Sequence, residues 1–206
     1  MLGIDPGLTR CGLGCVDIDP RRRARLVEAG VVRTPPSQSP ELRLLAIAEA
    51  LEDWIARLGP TAVSVERVFA QDNLRSVIGV AQVMGVVMVA GARAGLEVAQ
   101  HTPSEAKAAV TGSGTASKSQ VQAMVQRILG LAGPPRPADA ADAVAQAICH
   151  GWRGGGTGVD GATEMVSAGG SVRASARTPA QQRWAAAQAS ARRTGAVDPR
   201  YRRGPA

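Results

Sequence analysis

The stretch Leu2-Gly3-Ile4-Asp5-Pro6-Gly7 constrains this chain more than any other. An apolar run that stops at Asp-Pro-Gly reads as a short strand, because the proline and glycine end it and leave the carboxylate where the sheet opens to solvent. Asp5 on such a rigid element can hold a cation or an activated water. It can equally do no more than cap the turn with its side chain. The choice depends on whether other carboxylates converge on the same point, and Glu66, Asp139 and Asp142 are placed to do so.

Two further strands follow, Gly12 to Ile18 and Leu26 to Arg33, joined by the basic run Arg21, Arg22, Arg23 and Arg25, which reads most simply as a solvated turn, with a DNA contact as the alternative. Pro40 and Glu41 open a helix that Gly59-Pro60 ends near Leu58, its apolar positions recurring with helical period. Thr61 to Glu66 is a fourth strand and, coming after a helical crossover, should run parallel to an earlier one. If its neighbour is the first strand, Asp5 and Glu66 stand side by side at the C-terminal edge, where α/β sheets bind ligands.

Asn73 to Gly95 reads as a long helix with apolar residues around nearly its whole circumference, among them Val77, Ile78, Val83, Val87 and Val89. Such a helix must be covered on both sides. The sheet covers one, and a second copy of the chain is the expectation for the other. Leu96 to Gln100 is a fifth strand. Thr102-Pro103-Ser104-Glu105 then has the pattern of a capping box opening a helix that carries Lys107, and Ser117 caps another with Lys118 in its first turn. A cation at a helix N-terminus opposes the helix dipole. Lys118 is therefore either placed for an external anion or an ordinary surface lysine. Ala138 to His150 is the last helix, with Asp139 and Asp142 three residues apart on one face and Ala141, Val144, Ala145 and Ile148 on the packing side.

The expected fold class is therefore α/β, a five-stranded mixed sheet flanked by helices. Charge divides the chain unevenly. Residues 1–150 hold 15 Lys and Arg against 14 acids, whereas residues 151–206 hold 9 Arg against 3 acids. A near-neutral body that gathers four acids suits an anionic polymer approaching a metal-filled centre. From about residue 153 the Gly, Ala, Ser and Arg content predicts a disordered basic tail, apart from a possible helix over 179–193. Cys11, Cys15 and Cys149 form no CxxC pair, which supports neither a disulfide framework nor a zinc site and suits a reducing cytoplasm. The most apolar stretch, Ser76 to Ala92, contains Gln82 and three glycines and falls short of the roughly 20 residues a spanning helix needs.

Four carboxylates without a histidine or thiolate cluster select a hard cation, Mg²⁺ or Mn²⁺. Two such ions roughly 4 Å apart would suit phosphodiester hydrolysis, one activating a water and the other stabilising the leaving oxygen. The chain lacks a Walker loop and a GxSxG elbow that would argue for other chemistry.

With LGIDPG at 2–7, VERVF at 65–69, HTPSEAKAAVTGSGTASKSQV at 101–121 and ADAADAVAQAICH at 138–150, residues 2–152 resemble the RuvC family of Holliday junction resolvases. The resemblance implies a ribonuclease-H-like domain over 1–152, a homodimer, and paired symmetrical nicking of a four-way DNA junction in recombination and repair. It implies Asp5, Glu66, Asp139 and Asp142 as metal-binding catalytic acids, with Lys107 and Lys118 near the scissile phosphate. It also implies Phe69 as a ring that stacks on unpaired bases, against the alternative of a core residue. Arg67, Gln71 and Arg75 are nearby candidates for phosphate or sugar contacts. A branch-migration motor of the RuvA and RuvB type is the implied partner. Two departures stand out: the residues ahead of the motif are few, which predicts a short first strand at the sheet centre, and the tail is longer and richer in glycine than the family leads one to expect.

Sugar kinases and actin-like ATPases share a strand ending in Asp-x-Gly, but they need a second such domain and a second phosphate loop. A ribonuclease-H-like nuclease that processes RNA would keep the Asp5 motif without needing the Phe69 and Lys118 segments. A junction-binding module without catalysis gains nothing from presenting four carboxylates to phosphates.

Overall fold

The computed structural model describes residues 1–67 and 74–153. Phe69 and Gln71 lie outside these residues, as do the side chain of Arg75 and the tail beyond Arg153. Strands β1 (Leu2–Asp5), β2 (Arg10–Ile18) and β3 (Ala24–Arg33) precede helix α1 (Pro40–Leu58), and β4 (Ala62–Glu66) precedes α2 (Leu74–Arg93). Then come β5 (Glu97–His101), α3 (Pro103–Thr111), α4 (Lys118–Ile128) and α5 (Ala138–Arg153). The five strands form one sheet in the order β3-β2-β1-β4-β5. β1 pairs antiparallel with β2 and parallel with β4, and β4 pairs parallel with β5, so the expected mixed sheet is present.

β1 has four residues and sits at the sheet centre. Met1 extends its pairing, giving its amino group to the Val16 carbonyl at 2.8 Å and accepting from the Val16 amide at 2.9 Å. The second and third strands each begin two residues before the expected starts. Local hydrogen bonds of the Asp19–Arg23 turn close the hairpin between them, and pairing runs from Arg10 with Arg33 to Ile18 with Ala24, with a register shift between Cys15 and Val16.

The two faces of the sheet pack differently. Leu2, Ile4, Leu13, Val63 and Val65 form one core with Ile47 and Leu51 of α1 and Val83 and Val87 of α2. On the opposite face α5 lies against β1 and β2 at the positions of Gly3, Gly12 and Gly14. A Cβ at Gly3 would run into the Ala143 carbonyl oxygen, and one at Gly14 into Val144. Helix and strand main chains can approach this closely only because side chains are missing there. A second core of Val110, Val121, Val125, Val144 and Ile148 then joins α5 to α3 and α4. The alanine-rich α5 is thus buried on nearly every side from Ala140 to His150, Asp142 excepted, rather than along one stripe.

Both expected caps are formed. Thr102 and Glu105 close a capping box at the start of α3, and Ser117 with Gln120 closes another at α4. The basic turn between β2 and β3 does more than face solvent, since Arg22 and Trp152 exchange hydrogen bonds of 2.8 Å and the guanidinium lies over the indole ring. The three cysteines are free and buried, which pushes the Cys11 thiol up to about 12 and the Cys149 thiol up to about 11. α2 buries Val83, Val87 and Ala90 on the sheet, while Ile78, Met88 and Val89 remain exposed. Among the described residues no helix is long and apolar enough to cross a membrane.

Candidate active site

Alternation along the strands decides which residues meet α5. Ile4 and Val65 point into the first core, so Gly3, Asp5, Ser64 and Glu66 face the opposite way. The parallel register pairs Ile4 with Val65, which brings Asp5 and Glu66 to the same C-terminal edge. α5 crosses above that edge and adds Asp139 in its first turn and Asp142 one turn on. Asp5, Glu66 and Asp142 line one cleft of about 310 Å³ together with Lys107 of α3 and Lys118 and Val121 of α4. Three of the four expected acids thus share the cleft with both lysines, while Asp139 is not among its lining residues and pairs with Arg10.

Charge in the cleft is unbalanced. Burial, and then the neighbouring Glu66, Asp142 and Asp139 carboxylates, push the Asp5 carboxyl up to about 7. Glu66 is also raised, chiefly by burial, although a hydrogen bond from Gln146 and the nearby lysines oppose the shift. Such a site holds an excess of negative charge that a hard cation would relieve. Its present partners are the chain's own cations. Lys118 Nζ lies 2.6 Å from Asp142 Oδ2, and Arg10 reaches Asp139 Oδ2 with Nε at 2.7 Å and a terminal nitrogen at 2.6 Å. With Asp139 and Asp142 turned to these partners, no three acidic, imidazole or thiolate groups among the described residues come together tightly enough to chelate an ion as they stand. The donor set suits Mg²⁺ or Mn²⁺ in chemistry and number; binding would require those two ion pairs to loosen.

Three contributors are absent from the sequence-based reading. Arg10 opens β2 and stands 129 residues from its partner in the chain. Gln146 is fully buried, lines the cleft, and donates from Nε2 to Glu66 Oε2 at 3.5 Å, while its main-chain carbonyl accepts from Ser64 Oγ at 3.2 Å. Its place seven residues after Asp139 and four after Asp142 on one helix was a visible signal. Gly12 is the third: a Cβ there would strike the Asp139 carbonyl oxygen and stand 3.2 Å from Asp5 Cβ. Arg67 follows β4, and its amide donates to the His101 carbonyl at 2.7 Å.

Fold and site together place the chain in the ribonuclease-H-like class, with acids gathered at the ends of its central strands. The family model for crossover junction endodeoxyribonuclease RuvC matches residues 1–150, and the chain belongs to that family. A crossover junction endodeoxyribonuclease RuvC from Leifsonia xyli subsp. xyli is 55% identical over 204 residues, covering 98% of each chain. That match runs through the basic tail, so a tail of this length is shared with a relative rather than peculiar to this chain, as the family comparison by motif suggested. Among solved structures, Thermus thermophilus RuvC in complex with a Holliday junction substrate superposes with a TM-score of 0.71 at 38% identity, covering 74% of this chain and 92% of that one. The yeast mitochondrial Holliday junction resolvase, at 12% identity and a TM-score of 0.54 over 72% of this chain and 75% of its own, shares the fold.

Proposed function

We propose that this chain resolves four-way DNA junctions in recombination and repair, as a crossover junction endodeoxyribonuclease whose acids Asp5, Glu66, Asp139 and Asp142 form the metal-binding catalytic centre. The convergence of the β1, β4 and α5 acids on one lysine-flanked cleft carries this reading. Metal dependence belongs to the family; Mg²⁺, two ions per site, with Mn²⁺ able to substitute, is the finer assignment. Bound there, the metal would supply the positive charge that favours the ionised forms of Asp5 and Glu66, and would activate a water and stabilise the leaving oxygen.

The chain's own residues do the rest. β1 and β4 hold Asp5 and Glu66 on main chain paired to neighbouring strands, so the cleft floor does not depend on flexible loops. Gln146 orients the Glu66 carboxylate. Lys107 and Lys118 line the same cleft as the acids, where they can meet the oxygens of a scissile phosphate once Lys118 leaves Asp142. Phe69, with Arg67, Gln71 and Arg75, follows Glu66 in the chain and is assigned to junction contacts, Phe69 by stacking on unpaired bases. The exposed Ile78, Met88 and Val89 on α2 support a homodimer closed over that face, which would present two centres to two strands. Residues 1–152 are the nuclease domain and the basic residues 153–206 a tail extension. A branch-migration complex of the RuvA and RuvB type is the assigned partner.

The test is strand cleavage of a labelled mobile four-way junction and a matched linear duplex, with and without Mg²⁺, by the full chain and by Asp142→Asn. Paired nicks confined to the junction and dependent on metal are expected, with a loss on the order of 10³-fold in the variant. A junction bound but left uncut under conditions where the wild-type acids hold metal would overturn the catalytic reading.

A further inference from the structure

The turn that follows Asp5 borders a second cavity, which shares no lining residue with the acidic cleft. It has a volume of about 410 Å³ and is lined by Gly7, Leu8, Thr9, Arg10, Arg43, Gly79 and Val80. Arg43 is its notable member. The residue is only 8% exposed, yet among the described residues it forms no ion pair. Its side-chain partners are two neutral hydroxyls: Nε donates to Thr34 Oγ1 at 2.9 Å and a terminal nitrogen donates to Thr9 Oγ1 at 2.7 Å. Thr34 in turn donates to the Leu8 carbonyl. The guanidinium is thus fixed in direction by the same loop that lines the cavity.

Burying a charge without a counter-charge is costly, and buried arginines are ordinarily paired. Hydroxyl partners orient a guanidinium but do not neutralise it. Its second terminal nitrogen has no partner among the described residues and is not enclosed. A planar fork held in this way is suited to an oxyanion with phosphate geometry. The cavity is also joined to the catalytic centre by covalent chain, since Gly7 lies two residues beyond Asp5 and Arg10 at the rim holds Asp139.

We propose that the Gly7–Arg10 turn and Arg43 form a seat for one backbone phosphate of the DNA strand, adjacent to the phosphate that is cut. This rests on the junction-nuclease reading and adds to it a positioning contact outside the acidic cleft. A phosphate held here fixes the strand against the loop that follows Asp5, so that register along the strand is set by a buried cation rather than by exposed lysines.

The experiment measures junction binding by fluorescence anisotropy in chelator, across a salt series, for the full chain, Arg43→Gln and Val80→Glu. Val80→Glu places a carboxylate in the cavity while leaving the Thr9 and Thr34 hydrogen bonds in place, so the test survives if Arg43→Gln fails to fold. Each variant is expected to weaken binding about fivefold to tenfold and to lower the salt slope by about one phosphate's worth, near 0.9. Junctions carrying a single neutral methylphosphonate at successive positions near the cut should show one position that weakens wild type and leaves the folded variants unaffected. Unchanged salt slopes, or no position at which wild type and variants differ in this way, would overturn the seat while junction cleavage by wild type stands. If inorganic phosphate raises the melting temperature of wild type alone and the slopes stay equal, the cavity is a free-anion pocket and the DNA assignment is overturned. If wild type does not bind the junction, the nuclease reading falls and the seat with it.

Discussion

On one face of the sheet Leu2, Ile4, Leu13, Val63 and Val65 meet α1 and α2 through branched side chains, whereas on the other Gly3, Gly12 and Gly14 meet α5 with no side chain at all. The first arrangement buries apolar surface, on the order of 1.5–3 kcal/mol for each large side chain removed from water. The second buries little per residue but sets distance. Where helix and strand main chains touch, the positions of Asp5 and Asp139 follow from backbone contact rather than from rotamer choice. The acidic centre lies on the face built for position, and the exposed apolar patch lies on the outer side of α2, on the face built for burial.

Disturbing that close contact should have the largest effect. Gly12→Ala drives a methyl into the Asp139 carbonyl and against Asp5, and should cost on the order of 3 kcal/mol while displacing the first turn of α5. Ile47→Val in the other core should cost only about 1 kcal/mol. Denaturant unfolding of both, with junction cleavage measured where each is folded, separates stability from position. Gly12→Ala should cleave far more slowly than Ile47→Val, and equal rates would remove the distinction between the faces.

The exposed patch is the next place to press. Val89→Glu should leave the melting temperature of the dilute single chain nearly unchanged, because Val89 is half exposed there. It should weaken self-association by about a hundredfold if a second copy covers α2. Sedimentation equilibrium reads this directly. A wild type that stays monomeric at all concentrations, or a variant that dimerises normally, would contradict the homodimer.

These contrasts also explain what could be read in advance. Strand and helix ends were legible because proline and glycine mark boundaries locally, as at Asp5-Pro6-Gly7 and Gly59-Pro60. Capping boxes at Thr102 and Ser117 were legible for the same reason. The depth of α5 was not, because alanine is nearly neutral in any periodicity and the cause lies on other strands, in glycines more than a hundred residues earlier. Arg10 and Gln146 were missed on the same principle. An ion pair across 129 residues and a hydrogen bond across 80 leave no local pattern.

A smaller effect comes from behind the cleft, where His101 Nε2 and His150 Nδ1 lie 3.2 Å apart, both buried. Burial, and then the neighbouring His150, push His101 down to about 4, and burial lowers His150 as well. Both rings are therefore neutral in the fold at neutral pH. The unfolded chain binds protons near 6.5 and the fold does not, so stability present above 6.5 is lost as pH falls through that value toward 4. Asp5, held up to about 7 in the fold, takes up its proton over the same range with the opposite sign. The imidazole effect is therefore read as a difference: in thermal melts from pH 7 to 4.5 wild type should lose about 2 kcal/mol relative to His101→Gln. A variant with the same pH dependence as wild type would place the titrating groups elsewhere.

The smallest effect discriminates most finely between one chain and two. A Cβ at Gly85 meets nothing within 4 Å, so Gly85→Ala in the middle of α2 should stabilise the single chain by about 0.5–1 kcal/mol through helix propensity alone. Gly85 also lines a groove between α1 and α2 with Leu44, Val86 and Val89, next to the exposed patch. If a second copy closes there at van der Waals distance, the added methyl meets the partner and the gain is offset on association. Melting temperatures of Gly85→Ala at low and high protein concentration should therefore diverge from wild type in opposite directions. A gain that persists undiminished into the dimer would move the interface along α2, toward Ile78 and away from residue 85.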